Sequence, residues 1–360
     1  MNDAVNKAGQ AALSDTSDNT TDNNPPTASM TAEECRTIAE RIRTEIGKVI
    51  VGQHELVRDV LVCLLAEGHV LLEGVPGLGK TQLLRTLADV VAMPWSRIQF
   101  TPDLMPADIV GTQVLHESED GSRELRFRPG PITANLILAD EVNRATPKTQ
   151  AAMLEAMQER AVTVGGETRL LPRPFLVMAT QNPIEMEGTY PLPEAQLDRF
   201  MFKSIVPFPS ADDLVAVAER TTGSISPTVE PVTDAATLRV MIALTRSVPI
   251  PDHCVRHAVD LVVATHPESH TATELVTRYV RFGASPRGVQ ALTLGAKAIA
   301  LLEGRPNVST EDVRAVAIPA LRHRVNLGYE ATADGVGAAQ IVDSVLATVP
   351  VPGSGVRGAP

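Results

Sequence analysis

Aromatic residues make up only 3% of this 360-residue chain, so a surface built on stacking nucleic-acid bases has little to work with. Basic residues are outnumbered as well. Against 43 Asp and Glu stand 32 Lys and Arg, and the net charge of −11 argues against a nucleic-acid partner. The three cysteines, Cys35, Cys63 and Cys254, are odd in number and far apart, which gives neither a disulfide framework nor zinc spacing and fits a reducing cytoplasm. No run of about 18 uncharged apolar residues exists, so no membrane span is expected. The first 30 residues lack the basic start and apolar stretch of a signal peptide; rich in Asn, Asp, Thr and Ala, they read as a disordered acidic leader. The remainder, with 44% apolar and 21% charged residues overall, has the composition of an ordinary globular protein of two or three packed units.

What is present is more specific. Gly74, Val75, Pro76, Gly77, Leu78, Gly79, Lys80 and Thr81 form a complete Gly-x4-Gly-Lys-Thr phosphate-binding loop. Glycines let successive backbone N–H groups converge on phosphate oxygens. Lys80 adds a point charge for the outer phosphates, and the Thr81 hydroxyl suits Mg²⁺ ligation. An apolar run at 69–73 precedes the loop as a buried strand would. Behind it, Leu83, Leu84, Leu87, Val90 and Val91 have helical spacing, so the loop opens a helix whose N-terminus favours anions.

Order is expected to begin at Thr31, whose spacing to Glu34 makes a capping box, followed by Ile38, Ile42 and Ile46 on one helical face. A second helix carries Leu56, Val60, Leu61, Leu64 and Leu65. From there to residue 207 short apolar runs alternate with helical stretches, the pattern of an α/β unit with a mostly parallel sheet. Strands are expected at 70–72, 97–100, 136–139, 175–179 and 202–206. Two hairpins interrupt the unit, one at 112–128 around Glu119, Asp120 and Gly121, the other at 160–171 around Gly165 and Gly166. Past Pro209 strand signals stop, and helices are expected at 210–221, 234–247, 252–267, 287–303 and 310–324, capped in places by Ser285 and Ser309. The expected organisation is therefore a leader to 30, an α/β core over 31–207, a helical lid over 208–347 and a flexible tail over 348–360.

Further chemistry lies at strand ends. Asp140 and Glu141 close an apolar run, a pattern that delivers two carboxylates to the edge of an open sheet beside the phosphate loop. Asp140 would hold Mg²⁺ through water, while Glu141 would orient and polarise an attacking water. Asn182, at the end of the next apolar run, could help position that water. Arg199 precedes the last strand, well placed to reach an adjacent subunit's γ-phosphate, with a surface pair to Asp198 as the plain alternative. Arg287, just inside a lid helix, could pair with phosphate. His253, Cys254 and His257 raise a metal site, but lack a fourth ligand; a solvated helix face capped by Asp252 is the favoured reading.

In this order these elements resemble the MoxR family of AAA+ ATPases. The blocks that carry the likeness are GHVLLEGVPGLGKT at 68–81, DEVNRA at 140–145 and TQAAMLEAMQER at 149–160, then ATQNP at 179–183 and EGTYPLPEAQLDRF at 187–200. In the lid, GASPR at 283–287 and LRHR at 321–324 continue it, so the likeness runs from about 31 to 347. One departure is mild: Val142 stands where this family commonly has isoleucine. The resemblance implies an AAA+ phosphate-loop core with a five-stranded sheet, a smaller all-helical lid, and ATP with Mg²⁺ as ligands. It implies that residues 74–81 are Walker A, Asp140 and Glu141 Walker B, Asn182 sensor 1, Arg199 the arginine finger and Arg287 sensor 2, acting in cis or in trans. Val51, Gly52 and Gln53 lie where an adenine pocket would be. Such proteins typically form hexameric rings and act as chaperone-like ATPases with von Willebrand factor A domain partners, maturing protein clients or inserting metal cofactors. Two other functions stay open at this point, a nucleotide-gated binding scaffold with negligible turnover and a metal-chelatase ATPase subunit.

Overall fold

The apolar runs pair side by side and in parallel. In the computed structural model, which describes residues 30–118, 122–183, 188–223 and 227–352, helices α1 (Ala32–Val49) and α2 (His54–Leu65) lead into strand β1 (Val70–Glu73) and helix α3 (Lys80–Val90). Then follow β2 (Trp95–Gln99), α4 (Pro106–Val110), the hairpin β3 (Gly111–Glu117) and β4 (Arg123–Pro129), and β5 (Leu136–Asp140). Helix α5 (Pro147–Glu159), the hairpin β6 (Ala161–Val164) and β7 (Glu167–Leu170), β8 (Leu176–Gln181), α6 (Glu194–Leu197) and β9 (Phe202–Ile205) complete the unit. The five-stranded sheet has the order β2-β5-β8-β1-β9, and every pair in it is parallel. The leader up to residue 29, the turn residues Glu119, Asp120 and Gly121, Glu187 and the tail from residue 353 lie outside the described residues.

Strands covered on both faces need apolar residues at nearly every position. Val70, Leu72, Leu136, Leu138, Leu176, Met178 and Phe202 point to one face and join a large cluster with α1, α2, α3 and the helices beyond residue 210. Leu71, Ile98, Ile137, Ala139, Val177 and Ala179 point to the other, with Met153, Leu154 and Met157 of α5. The Thr31 capping box forms as expected, with Glu34 Oε2 accepting from the Thr31 N–H at 2.8 Å. In the second hairpin Gly165 and Gly166 have φ of 62° and 83°, the left-handed pair that a two-residue turn requires. The two hairpins touch, with the Arg169 guanidinium 4.4 Å above the Phe127 ring.

Beyond the sheet lie α7 (Ala211–Thr222), α8 (Ala235–Ser247), α9 (Asp252–Val263), α10 (Glu274–Tyr279), α11 (Pro286–Leu302), α12 (Thr310–Ala315), α13 (Ala317–Leu321), α14 (Tyr329–Ala333) and α15 (Ala338–Thr348). Three features depart from the sequence pattern. An antiparallel pair, β10 (Val280–Phe282) with β11 (Asn326–Leu327), appears where no strands were expected, since segments this short carry no periodicity. The expected helix over 310–324 breaks at Val316, which at φ −100° and ψ −1° separates α12 from α13. Helix α9 is capped by Pro251, not Asp252, and Cys254 and His257 face the core rather than solvent. Among the described residues no three or more His, Cys, Asp and Glu cluster so as to hold a metal ion, which removes the candidate at 253–257.

His69 ties the sheet to α5. Its Nδ1 accepts from the Val177 N–H at 3.0 Å, so the ring proton sits on Nε2, which faces the Met157 carbonyl at 3.1 Å. Burial holds this imidazole down to about 4, against 6.5 for a free histidine. As pH falls from about 6.5 towards 4 the unfolded chain takes up a proton that the folded one refuses, so stability is lost through that window. His69→Asn, which keeps a donor and an acceptor without titrating, should remove about 2 kcal/mol of this acid loss, read from urea denaturation at about pH 7 and about pH 4.5. On the opposite face Gly295 of α11 lets the lid approach β9, because a Cβ there would lie 3.0 Å from the Phe202 ring and 3.3 Å from Val316. Gly295→Val should cost about 1–3 kcal/mol in the same measurement at neutral pH.

Candidate active site

The parallel register brings four strand ends to one edge. Leu72 and Glu73 lie beside Thr180 and Gln181, Ala139 lies beside Ala179, and Gln99 lies beside Asp140. Each chain segment leaving that edge carries polar residues, and they line one cavity of about 520 Å³ with Gly77, Gly79, Lys80, Thr81, Asp140, Glu141 and Asn182 among its walls.

The loop after β1 turns through Gly77 and Gly79 at φ of 87° and 77°, a backbone that side chains strain to adopt. Gly74 is needed for a different reason, since a Cβ there would approach the Val206 side chain to 2.9 Å. Lys80 Nζ donates to the carbonyls of Gly74 at 2.6 Å and Val75 at 3.1 Å, so the ammonium is held at the centre of its own loop. Burial pulls its titration down, while Asp140 and Glu141 pull it back up. Gln53 donates from Nε2 to the Leu78 carbonyl at 3.0 Å and so braces the loop from outside. It also lines a separate cavity of about 360 Å³ with Ile46, Ile50 and His54.

The two carboxylates are anchored by side chains that the sequence pattern did not single out. Arg97 donates to Asp140 Oδ2 from Nη2 at 2.5 Å and from Nε at 3.2 Å. The Thr180 hydroxyl donates to Asp140 Oδ1 at 2.7 Å and accepts the Glu141 N–H at 2.8 Å. That second bond fixes Glu141 in the left-handed region, at φ 56°. Glu141 Oε2 then accepts from Gln99 Nε2 and from Arg144 Nη1, each at 2.9 Å. The available signal was the alternation of Arg97 and Gln99 around buried Ile98, which puts both on one face at the end of β2.

Asn182 is buried and lines the same cavity. Arg199 and Arg287 do not. They face a second cavity of about 220 Å³, with Glu67, Asp198, Arg246 and Arg324. Asp198 does not make the surface pair with Arg199 but accepts from Ser285 and Arg324 and lies 3.8 Å from Arg287. As for the metal, a threonine hydroxyl and an aspartate are hard oxygen donors of the kind Mg²⁺ prefers, and both line the phosphate-loop cavity.

Thr180 is the joint of this arrangement. Thr180→Val should leave a buried Glu141 N–H and an Asp140 oxygen short of a partner, costing about 1–3 kcal/mol in urea denaturation, whereas Thr180→Ser should stay near wild type.

Comparison with known proteins agrees with this geometry. Residues 69–202 match the ATPase family associated with various cellular activities (AAA), and residues 272–345 match the AAA lid domain. The chain is 44% identical over 321 residues to the chaperone MoxR1 of Mycobacterium tuberculosis, covering 89% of this chain and 84% of that protein. It is 35% identical to the protein MoxR of Paracoccus denitrificans, covering 85% and 94% of the two. A crystal structure of a candidate ATPase from Cytophaga hutchinsonii superposes with a TM-score of 0.83 at 39% identity, covering 89% of this chain and 97% of that one. An α/β AAA+ core followed by a helical lid, a phosphate loop and this likeness over most of the chain lead to one assignment: the chain belongs to the MoxR family of AAA+ ATPases.

Proposed function

We propose that this chain hydrolyses ATP with Mg²⁺ and works as a ring, hexameric by family habit, that remodels a protein client. The observation that carries the reading is the division of labour between two cavities. Phosphate-binding and water-positioning residues share one, while Arg199 and Arg287 line another. A phosphate-loop cavity that Arg199 and Arg287 of the same chain do not line, on a protein that presents those two together elsewhere, suits completion by a neighbouring copy.

In this reading the backbone of residues 74–79 and Lys80 bind the phosphates, Lys80 exchanging its loop carbonyls for phosphate oxygens. Thr81 and Asp140 would hold Mg²⁺, which neutralises phosphate charge when bound. Glu141 orients and polarises the attacking water, helped by Asn182. Arg199 reaches the γ-phosphate bound to the adjacent subunit, and Arg287 acts on the same neighbour. Gln53, through Leu78, keeps the loop in register beside the base. The client, a von Willebrand factor A domain partner, the insertion of a metal cofactor and a cytoplasmic location belong to the same proposal; the mycobacterial relative is itself named a chaperone. No described helix is long and apolar enough to cross a membrane.

One observation favours a second reading. Glu141 is tied to both Gln99 and Arg144, and a chain that never released it would be a nucleotide-gated scaffold. Turnover separates the two. Lys80→Ala should weaken nucleotide binding by about 2–3 kcal/mol, a roughly hundredfold rise in Kd. Glu141→Gln should keep binding and lose hydrolysis by roughly 10²–10⁴-fold. The rate per subunit should rise with protein concentration. Glu141→Gln and Arg199→Ala, each inactive alone, should together recover about a quarter of the wild-type rate at equal mixing, since about one site in four pairs an intact Glu141 with a neighbour's intact Arg199. A rate flat with concentration and no recovery on mixing would remove the ring reading, and partner release unaffected by Glu141→Gln would favour the scaffold.

A further inference from the structure

Arg324 sits in the turn after α13 with a side chain only 3% exposed, and it spends its guanidinium on the segment that carries Arg199. Nε donates to Asp198 Oδ1 at 2.8 Å. Nη2 donates to the carbonyls of Asp198 at 3.1 Å and Phe200 at 2.7 Å, and Nη1 donates to those of Met201 at 3.0 Å and Ala320. The accepting carbonyls lie on both sides of Arg199, so the backbone on either flank of that residue is fixed from the lid. Two further lid groups close on the same stretch. Ser285 Oγ donates to both Asp198 carboxylate oxygens, at 3.0 and 2.9 Å, and His323 Nε2 lies 2.9 Å from the Phe200 carbonyl.

Stability alone is a weak reason for such a group, because desolvating an arginine and a carboxylate costs about what their attraction returns, and an apolar pair of equal volume often does as well. What a planar fork does that an apolar residue cannot is hold several carbonyls at fixed angles. Burial lowers Arg324 to about 10, with Asp198 pulling the other way, so it stays charged at neutral pH and the fork stays closed.

We propose that Arg324 is a positioning residue for the neighbour's active site: it sets the backbone on which Arg199 is presented, and through Asp198 it ties Arg287 to the same place. The proposal rests on the reading that Arg199 completes an adjacent subunit. Arg324 lies outside the phosphate-loop cavity, so a subunit lacking it should keep its own nucleotide site and fail only as a donor.

Mixing full-length variants tests this. Arg324→Ala alone should lose roughly 10²-fold in ATPase rate while its Kd for a fluorescent ATP analogue stays within about twofold of wild type. Mixed in equal amounts with Glu141→Gln, it should recover about a quarter of the wild-type rate, because Glu141→Gln subunits donate intact arginines to its sites. Arg199→Ala with Glu141→Gln is the reference pair. Recovery by the reference but not by Arg324→Ala would overturn the positioning role; recovery by neither would overturn the shared-site reading and this proposal with it. If Arg324→Ala fails to fold, Arg324→Lys carries the test, since one ammonium cannot serve carbonyls on both flanks and the same recovery on mixing is expected.

Discussion

The pairing of β8 between β1 and β5 is the constraint on which the rest of the site depends. In the observed parallel register the phosphate loop, the two carboxylates and Asn182 emerge along one edge. Slipping β8 by a single residue would turn Thr180 away from Asp140 and put Val177 and Ala179 on the wrong face. The packing that opposes such a slip, with Leu176 and Met178 fitted to one face and Val177 and Ala179 to the other, is therefore also what holds the chemistry together. His69 reinforces it, since its ring bridges β8 and α5 from the residue just before β1.

The carboxylates at the site are already paired before any nucleotide arrives, and the cations outnumber them. Asp140 and Glu141 face Lys80, Arg97 and Arg144, and most of the hydrogen-bonding capacity is already taken by carbonyls, carboxylates and a threonine hydroxyl. Charge-assisted bonds contribute about 1.5–3 kcal/mol each, so binding a triphosphate gains only the difference between new bonds and those given up. The donor on Asp140 and those on Glu141 differ in this respect. Asp140 Oδ2 takes its bonds from the charged Arg97, whereas Glu141 Oε2 shares one charged donor, Arg144, and one neutral one, Gln99.

Much of the fold was legible because the sheet is buried on both faces, which writes its strands as continuous apolar runs, and because glycine pairs and capping boxes have local causes. The phosphate loop and Asp140 were legible for the same reason, being contiguous motifs. What escaped was set by contacts distant in sequence. Arg97 acquires its meaning only when β2 lies beside β5, a pairing about forty residues apart in the chain. Cys254 and His257 looked solvated because a polar pair at helical spacing says nothing about which face is covered, and it is α12 that covers it. The β10–β11 pair is too short to have a period, whereas the break at Val316 has a local cause: Pro319 has no N–H for the Ala315 carbonyl, and its ring would clash with that carbonyl in a continuous helix.

The lid is bound to the core in two unlike ways, and the difference bears on how motion could travel. Along α1, α11 and Phe202 the contact is apolar and continuous with the main hydrophobic cluster, a surface that tolerates small sliding. At Asp198 it is polar and directional, with one carboxylate receiving Ser285 and Arg324 and lying near Arg287. Directional bonds do not slide; they hold or break. A lid rotation small enough to keep Asp198 bound must carry Arg199 with it, while a larger one must release it. The segment between α6 and β9 is thus the place where a change in lid position becomes a change in the setting of Arg199 and Arg287, and the apolar contact lets that happen without unfolding the core.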